Sequence, residues 1–135
     1  MAIPRHKLAV AVMVINESNQ VLLVKGYVRG WEFPGGYVGE NESIKAAAVR
    51  EVKEESGLDV ELTKFFGIDQ DIHRSTCIVL FGAKPVGGEL KNSEESLAVG
   101  YFSIDEAMNR ITNQAFKDRL SRCLNEKEYP FVSEI

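Results

Sequence analysis

The sequence contains only two cysteines in 135 residues, Cys77 and Cys123, and no CxxC pair. No Cys/His spacing suggests a zinc site, and a reducing, cytoplasmic setting is the expectation. There is no apolar run approaching the roughly 20 residues of a membrane helix, so no membrane partner is expected. There is no excess of positive charge either. Lys and Arg number 16 against 20 Asp and Glu, a formal charge of -4, which gives no broad basic surface for a nucleic-acid backbone. A GxxxxGK[ST] loop is missing, so phosphate is not cradled in a P-loop. Repeats, linkers and low-complexity stretches are absent, and one domain over residues 1–135 is expected.

What is present is an ordinary globular composition, 44% apolar and 27% charged. Arg5, His6 and Lys7 before an apolar run resemble the start of a secretion signal, but Asn16 and Glu17 end the run without a convincing cleavage site. The run itself, "KLAVAVMVI" (Lys7–Ile15), reads as a buried central strand. After the turn "NESNQ", "VLLVK" (Val21–Lys25) reads as its hairpin partner. "WEF" (Trp31–Phe33) is a short extended piece before Pro34, and Gly35, Gly36 and Gly39 suggest a flexible loop. Ser43 caps a helix over 44–56, and Gly57 ends it. "VELTKFFGI" and "STCIVLFGAK" read as strands joined by a polar link holding Asp69, Asp71, His73 and Arg74. "PVGGEL" is a turn region, "KNSEES" a polar loop, and "LAVGYFS" a strand. A short helix at 104–111, capped by Ser103, precedes a terminal helix over 113–128. The pattern predicts an α/β fold in which helices at 43–56 and 113–125 cover a mixed, largely antiparallel sheet.

The helix at 44–56 poses a chemical question. Glu51, Glu54 and Glu55 share about a third of its circumference, and Glu42 lies just before it. Like charges at this spacing repel by a few tenths of a kcal/mol per pair. Such a face is either solvated or built around a cation. Magnesium prefers near-octahedral oxygen ligands and keeps water and phosphate oxygens in its shell. Three carboxylates on one face, a fourth from the incoming loop and glycine carbonyls nearby suit that task.

Spacing adds a stronger signal. Gly36, Glu42, Arg50, Glu51, Val52, Glu54, Glu55, Gly57 and Leu58 fill every fixed position of a box that resembles the signature of the Nudix (MutT-like) hydrolases. The resemblance implies an α/β/α sandwich and magnesium- or manganese-dependent hydrolysis of a nucleoside diphosphate linked to another moiety. It implies that Glu51, Glu54 and Glu55 bind metal, with the Gly36 carbonyl often adding a ligand. It also implies that Arg50 orients the glutamates, and that Glu42 supports the helix start. Many such boxes have glycine before the first glutamate. Asn41 stands here, and asparagine tolerates a positive φ well.

Pyrophosphate hydrolysis needs a base for water. Glu54 is the first choice because it sits in the cluster. The resemblance offers Glu94 and Glu95 as an alternative, from a late loop before the last expected strand. For the substrate pocket, Trp31 and Phe33 are candidate stacking residues, Phe33 more readily as core. Glu32 and Tyr37 are candidate ligand contacts, and Arg29, His73 and Arg74 candidate phosphate contacts. "WEFPGG" is similar to the branch of the family that clears oxidised nucleotides. A nucleoside triphosphate cut to monophosphate and pyrophosphate ranks first. ADP-ribose or another ADP-sugar ranks second and an RNA 5′ end third. A silent nucleotide-binding module is the non-enzymatic alternative. The expected partner is a nucleotide or nucleotide derivative, with the chain a monomer or homodimer.

Overall fold

The structure, a computed structural model, describes residues 2–135. The first strand, β1 (Lys7–Val14), is buried on both faces from Ala9 onward, which is why its sequence is apolar without alternation. Val10, Val12 and Val14 pack toward the helix α1 (Ile44–Ser56), meeting Ala47, Ala48 and Val52. Ala11 and Met13 pack the other way, with Ala107 and Ile111 at α2 (Ile104–Arg110), and with Phe116, Leu120 and Cys123 of α3 (Gln114–Leu124). The molecule is therefore an α/β/α sandwich, as the sequence predicts. The small Ala47 and Ala48 let α1 lie close to the sheet.

The strands form two sheets where one was expected. β1 runs parallel to β6 (Thr76–Gly88) and antiparallel to β4 (Gly35–Tyr37). β6 pairs with β5 (Leu58–Asp71), which pairs with β8 (Phe131–Glu134), giving the order β4-β1-β6-β5-β8. A second sheet has the order β3-β2-β7, with β2 at Gln20–Gly26, β3 at Gly30–Glu32 and β7 at Ala98–Ser103. Four of these six pairings are antiparallel, so the strands are mixed but largely antiparallel.

The expected β1–β2 hairpin is the main correction. The Asn16 side chain accepts from the Ser18 and Gln20 N–H groups, and Asn19 takes a positive φ of 57°. The turn forms, but it closes on a single bridge, Ile15 to Val21. Ile15 already donates to the Ala83 carbonyl, holding that end of β1 with β6, while β2 leaves to pair with β7. The glycines at 35 and 36, expected as loop, form edge strand β4. "PVGG" (85–88) continues β6 instead of turning, since β5 begins early enough to pair with it. The terminal helix stops at Leu124, and a 3-10 turn (Glu126–Glu128) leads into β8, which the sequence reading missed.

Capping follows the sequence. Ser43 Oγ accepts from Ala46 N–H, and Gly57, at φ 82°, donates its N–H to the Lys53 carbonyl. A Cβ at Gly57 would also strike the Glu89 carbonyl, so both conformation and space require glycine there. Asn41 sits at φ 62°, the left-handed region that asparagine tolerates.

Candidate active site

Arg50 is the hub of the acidic face. Its Nε and Nη2 donate to the two Glu42 oxygens at 2.6 and 2.9 Å, a bidentate pair. Nη1 donates to Glu51 Oε1 at 2.9 Å and to Glu54 Oε2 at 3.1 Å, and Nη2 reaches the Tyr37 carbonyl at 3.1 Å. One guanidinium thereby fastens α1 to the incoming loop and to β4. The Arg50 hydrogen bonds, with help from the Gly39 N–H, hold the Glu42 carboxyl down to about 2. The Glu42 bond is also the main reason the Arg50 pKa is raised.

Glu51 and Glu55 face inward. Glu51 is 8% exposed, and burial pushes its pKa up against the pull of Arg50. Glu55 accepts the Gly35 N–H at 2.8 Å. Burial, then the charges of Glu51, Glu32 and Glu95, push its pKa up to about 8 in spite of that bond. Glu54 stands at the rim with a half-exposed side chain. The expected three-carboxylate cluster is thus split: Arg50 draws Glu51 and Glu54, while the Gly35 N–H holds Glu55. Among the described residues no group of three Asp, Glu, His or Cys side chains is arranged to hold a metal as it stands.

The donor set still fits a hard cation. Its side-chain ligands are carboxylate oxygens, and the buried carboxyls that resist ionisation are those that a cation would relieve. A Cβ on Gly36 would come within 2.6 Å of the Glu51 carboxylate, so only glycine leaves room for close approach there. Glu51 and Glu55 could hold the ion with the Gly36 carbonyl, and Glu54 lies at the edge of reach.

Two recesses meet at this face. One, of about 310 Å³, is lined by Glu51, Glu55, Glu95 and Ser96 together with Gly35 and Gly36. The other, of about 290 Å³, runs across β4 toward α3 and is lined by Phe33, Ile78, Phe116, Arg74 and Arg119, among others. Arg29, Glu32, Gly35, Gly36 and Tyr37 border both. Arg29 pairs with Glu32 at 3.1 Å, and its guanidinium lies 5.4 Å from the Phe116 ring centre. Burial raises the Glu32 pKa, opposed by Arg29 and Arg119.

The structure thus gathers Arg29, Glu32, Gly36, Tyr37, Glu51, Glu55 and Glu95 around one space. It does not bring Trp31 or Glu94 to the recess walls. Trp31 meets the Phe102 ring edge-on at 5.1 Å and lies under Arg110, completing core packing on the α2 side. Glu94 lends only its carbonyl, to the Tyr27 hydroxyl. Phe33 is buried, as expected, and still lines the second recess. Arg74 reaches that recess; His73 sits exposed in the β5–β6 turn.

Sequence reasoning missed a buried ionic group in the wall. Asp69, fully buried in β5 and not in a polar link, accepts from Arg119 Nε at 2.7 Å and from an Arg122 Nη at 2.8 Å. The available signal was two arginines three apart on the apolar side of α3, a spacing that puts both on one face.

The state of Glu55 gives a pH prediction. In the folded protein with chelator, Glu55 keeps its proton to about pH 8, whereas a carboxyl in the unfolded chain loses it near the ordinary value of 4.5. Between those values the unfolded state binds fewer protons, so this group lowers stability as pH rises. Glu42 works in the opposite sense, but its effect is complete above the ordinary carboxyl range. In EDTA, Tm should fall from pH 5.5 toward 8, and the gain in Tm on adding magnesium should be larger at pH 8. A metal-induced shift that does not grow with pH would remove Glu55 from the ion's surroundings.

Comparison with known proteins agrees with this geometry. The NUDIX domain model matches residues 5–123. A "MutT-like protein" of Streptomyces ambofaciens is 34% identical over 109 residues, 80% of this chain and 71% of that protein. An "ADP-ribose pyrophosphatase" of Methanocaldococcus jannaschii is 31% identical over 100 residues, 68% of this chain but only 59% of that protein. The crystal structure of a NUDIX hydrolase from Nitrosomonas europaea superposes with a TM-score of 0.85 at 27% identity, covering 99% of this chain and 81% of that one. No helix among the described residues is long and apolar enough to cross a membrane. With the family model matched over most of the chain, this protein belongs to the NUDIX hydrolases, enzymes that cut pyrophosphate links in nucleotide-derived compounds and characteristically depend on a metal.

Proposed function

We propose that the chain, acting as one domain over residues 1–135, hydrolyses a nucleoside triphosphate to monophosphate and pyrophosphate with magnesium or manganese. The observation that carries this reading is the pair of joined recesses. The acidic one suits a metal-bound polyphosphate, and the half-apolar one beside it, about 290 Å³, suits a base and sugar. Arg29 stands at the junction, where it would offset phosphate charge.

Glu51 and Glu55, with the Gly36 carbonyl, would hold the metal, and Arg50 keeps Glu51 and Glu54 in place. A divalent ion held there would neutralise the diphosphate and lower the pKa of water. Water adds to one phosphorus, and the bridging oxygen leaves with the other. The proton of that water goes to a nearby carboxylate. Glu95 is better placed for this than Glu54, because it lines the acidic recess while Glu54 is tied to Arg50 at the rim. Glu95→Gln should lower kcat at least ~100-fold with metal affinity kept, while Glu94→Gln stays near wild type. If Glu54→Gln alone gives the large loss, the base is Glu54.

One observation favours a second reading, hydrolysis of ADP-ribose: the Methanocaldococcus relative carries that activity in its name. A magnesium-containing screen of triphosphates, oxidised triphosphates, ADP-ribose, dinucleoside polyphosphates and 5′-triphosphate RNA separates the readings by kcat/KM. A triphosphate should lead. An ADP-ribose value about tenfold or more above every triphosphate would replace the first reading with the second. No turnover of any compound, with Glu54→Gln changing nothing, would leave a binding module.

A further inference from the structure

The side wall of the half-apolar recess contains a guanidinium held from behind. Arg119 is 5% exposed, and its Nε is committed to Asp69, which is itself fully buried and shared with Arg122. No acceptor among the described residues takes the two Nη groups of Arg119. The one buried polar side-chain atom without a partner among these residues is Arg122 Nε, so the Arg119 Nη groups reach open space. Arg119 is one of the residues that line the recess. Its guanidinium also lies 5.1 Å from the Phe116 ring centre, which fixes its plane beside an apolar wall.

Charge decides what those donors would meet. Arg29 and Arg74 on the recess pair with Glu32 and Asp71, and Arg119 shares the buried Asp69 with Arg122. Each lining arginine thus already has a carboxylate partner, and beside the Phe116 ring the free donors of Arg119 suit a planar polar group. A fixed planar fork of N–H donors fits two adjacent acceptors, the pattern of the O6 and N7 edge of a 6-oxopurine. The acidic Glu32 and Asp71 in the same recess can accept from the ring N–H of such a base. Adenine inverts both positions, setting an amino group against the arginine and a bare ring nitrogen against a carboxylate.

We propose that Arg119, held by Asp69, is a specificity-determining residue that selects 6-oxopurine nucleotides over adenine nucleotides. The inference rests on the reading of this recess as the base pocket. Its test is kcat/KM for GTP, ITP and ATP with magnesium, in wild type and in Arg119→Lys. The lysine keeps a charge for Asp69 but loses the fork. GTP and ITP should exceed ATP by about tenfold or more in wild type. In Arg119→Lys the ratio should collapse toward unity, chiefly through loss of activity on the two oxopurines. A structural role alone would lower all three together. Wild-type preference for ATP, or a ratio that the lysine leaves intact, overturns the proposal, and the wild-type ranking stands even where a variant folds poorly. Failure to cut any triphosphate would refute the proposed reaction and not this pocket, so binding of GMP and AMP to the magnesium protein is measured by calorimetry as well. Preference for GMP that Arg119→Lys abolishes supports the inference; equal binding overturns it.

Discussion

Glu55→Gln lowers kcat/KM with magnesium by at least about 100-fold while leaving the fold intact. The substitution keeps the shape of the side chain, and its amide oxygen can still accept the Gly35 N–H. What it removes is the charge that Glu55 would bring to a cation. Burial and neighbouring carboxylates already disfavour that charge in the protein alone, pushing the carboxyl up to about 8. In EDTA above pH 5.5 the variant is therefore at least as stable as wild type. Activity and stability move in opposite directions, a combination that a merely structural glutamate does not give. Kinetics with magnesium and melting in EDTA measure the two sides. Wild-type turnover in Glu55→Gln would make the acidic face a solvated surface.

The largest loss of stability is expected at Asp69. Asp69→Ala leaves Arg119 and Arg122 with positive charge under the sheet and no counter-charge, since Asp69 is the carboxylate bridging them. Breaking a buried ion pair from one side costs about 3–5 kcal/mol. For a chain of this size that is a drop in Tm on the order of 10–20 °C. Asp71→Ala is the internal comparison. Its partner Arg74 is 72% exposed and 3.9 Å away, so the change should cost at most about 1 kcal/mol. Urea unfolding of the two variants side by side decides the matter. Equal, small losses would mean that water reaches the arginines and the pair is not truly buried.

These two sites differ in how far a reader of the sequence could see them. The acidic face was legible because its parts are close in the chain: Glu55 and the Gly35 N–H are 20 residues apart, and Arg50 meets Glu42 across 8. Helical spacing fixes which side chains share a face, and capping residues fix where the helix starts. Asp69 and Arg119 are 50 residues apart, and nothing local to either reveals the other. A lone aspartate near a turn looks solvated until a helix from the far end covers it. The same limit hid the two-sheet architecture. "KLAVAVMVI" and "VLLVK" both read as strands, and both are, but pairing depends on β6 and β7, which arrive much later in the chain. Trp31 shows the converse. Its neighbours along the chain border the recess, yet alternation along β3 turns its side chain away to Phe102.

The edge strand β4 is the seam between two independently built halves. On one side, a contiguous stretch from Gly35 to Glu55 carries the Arg50 network, and Glu95 faces it across the acidic recess. On the other, β5, β6 and α3 supply the walls of the neighbouring chamber, and their side chains take no part in the Arg50 network. A wall residue can therefore be exchanged without disturbing the Arg50 network. In evolutionary terms the protein is a fixed tool with an interchangeable holder: descendants can drift to new nucleotides by small steps in distant segments while the hydrolytic step stays in service throughout.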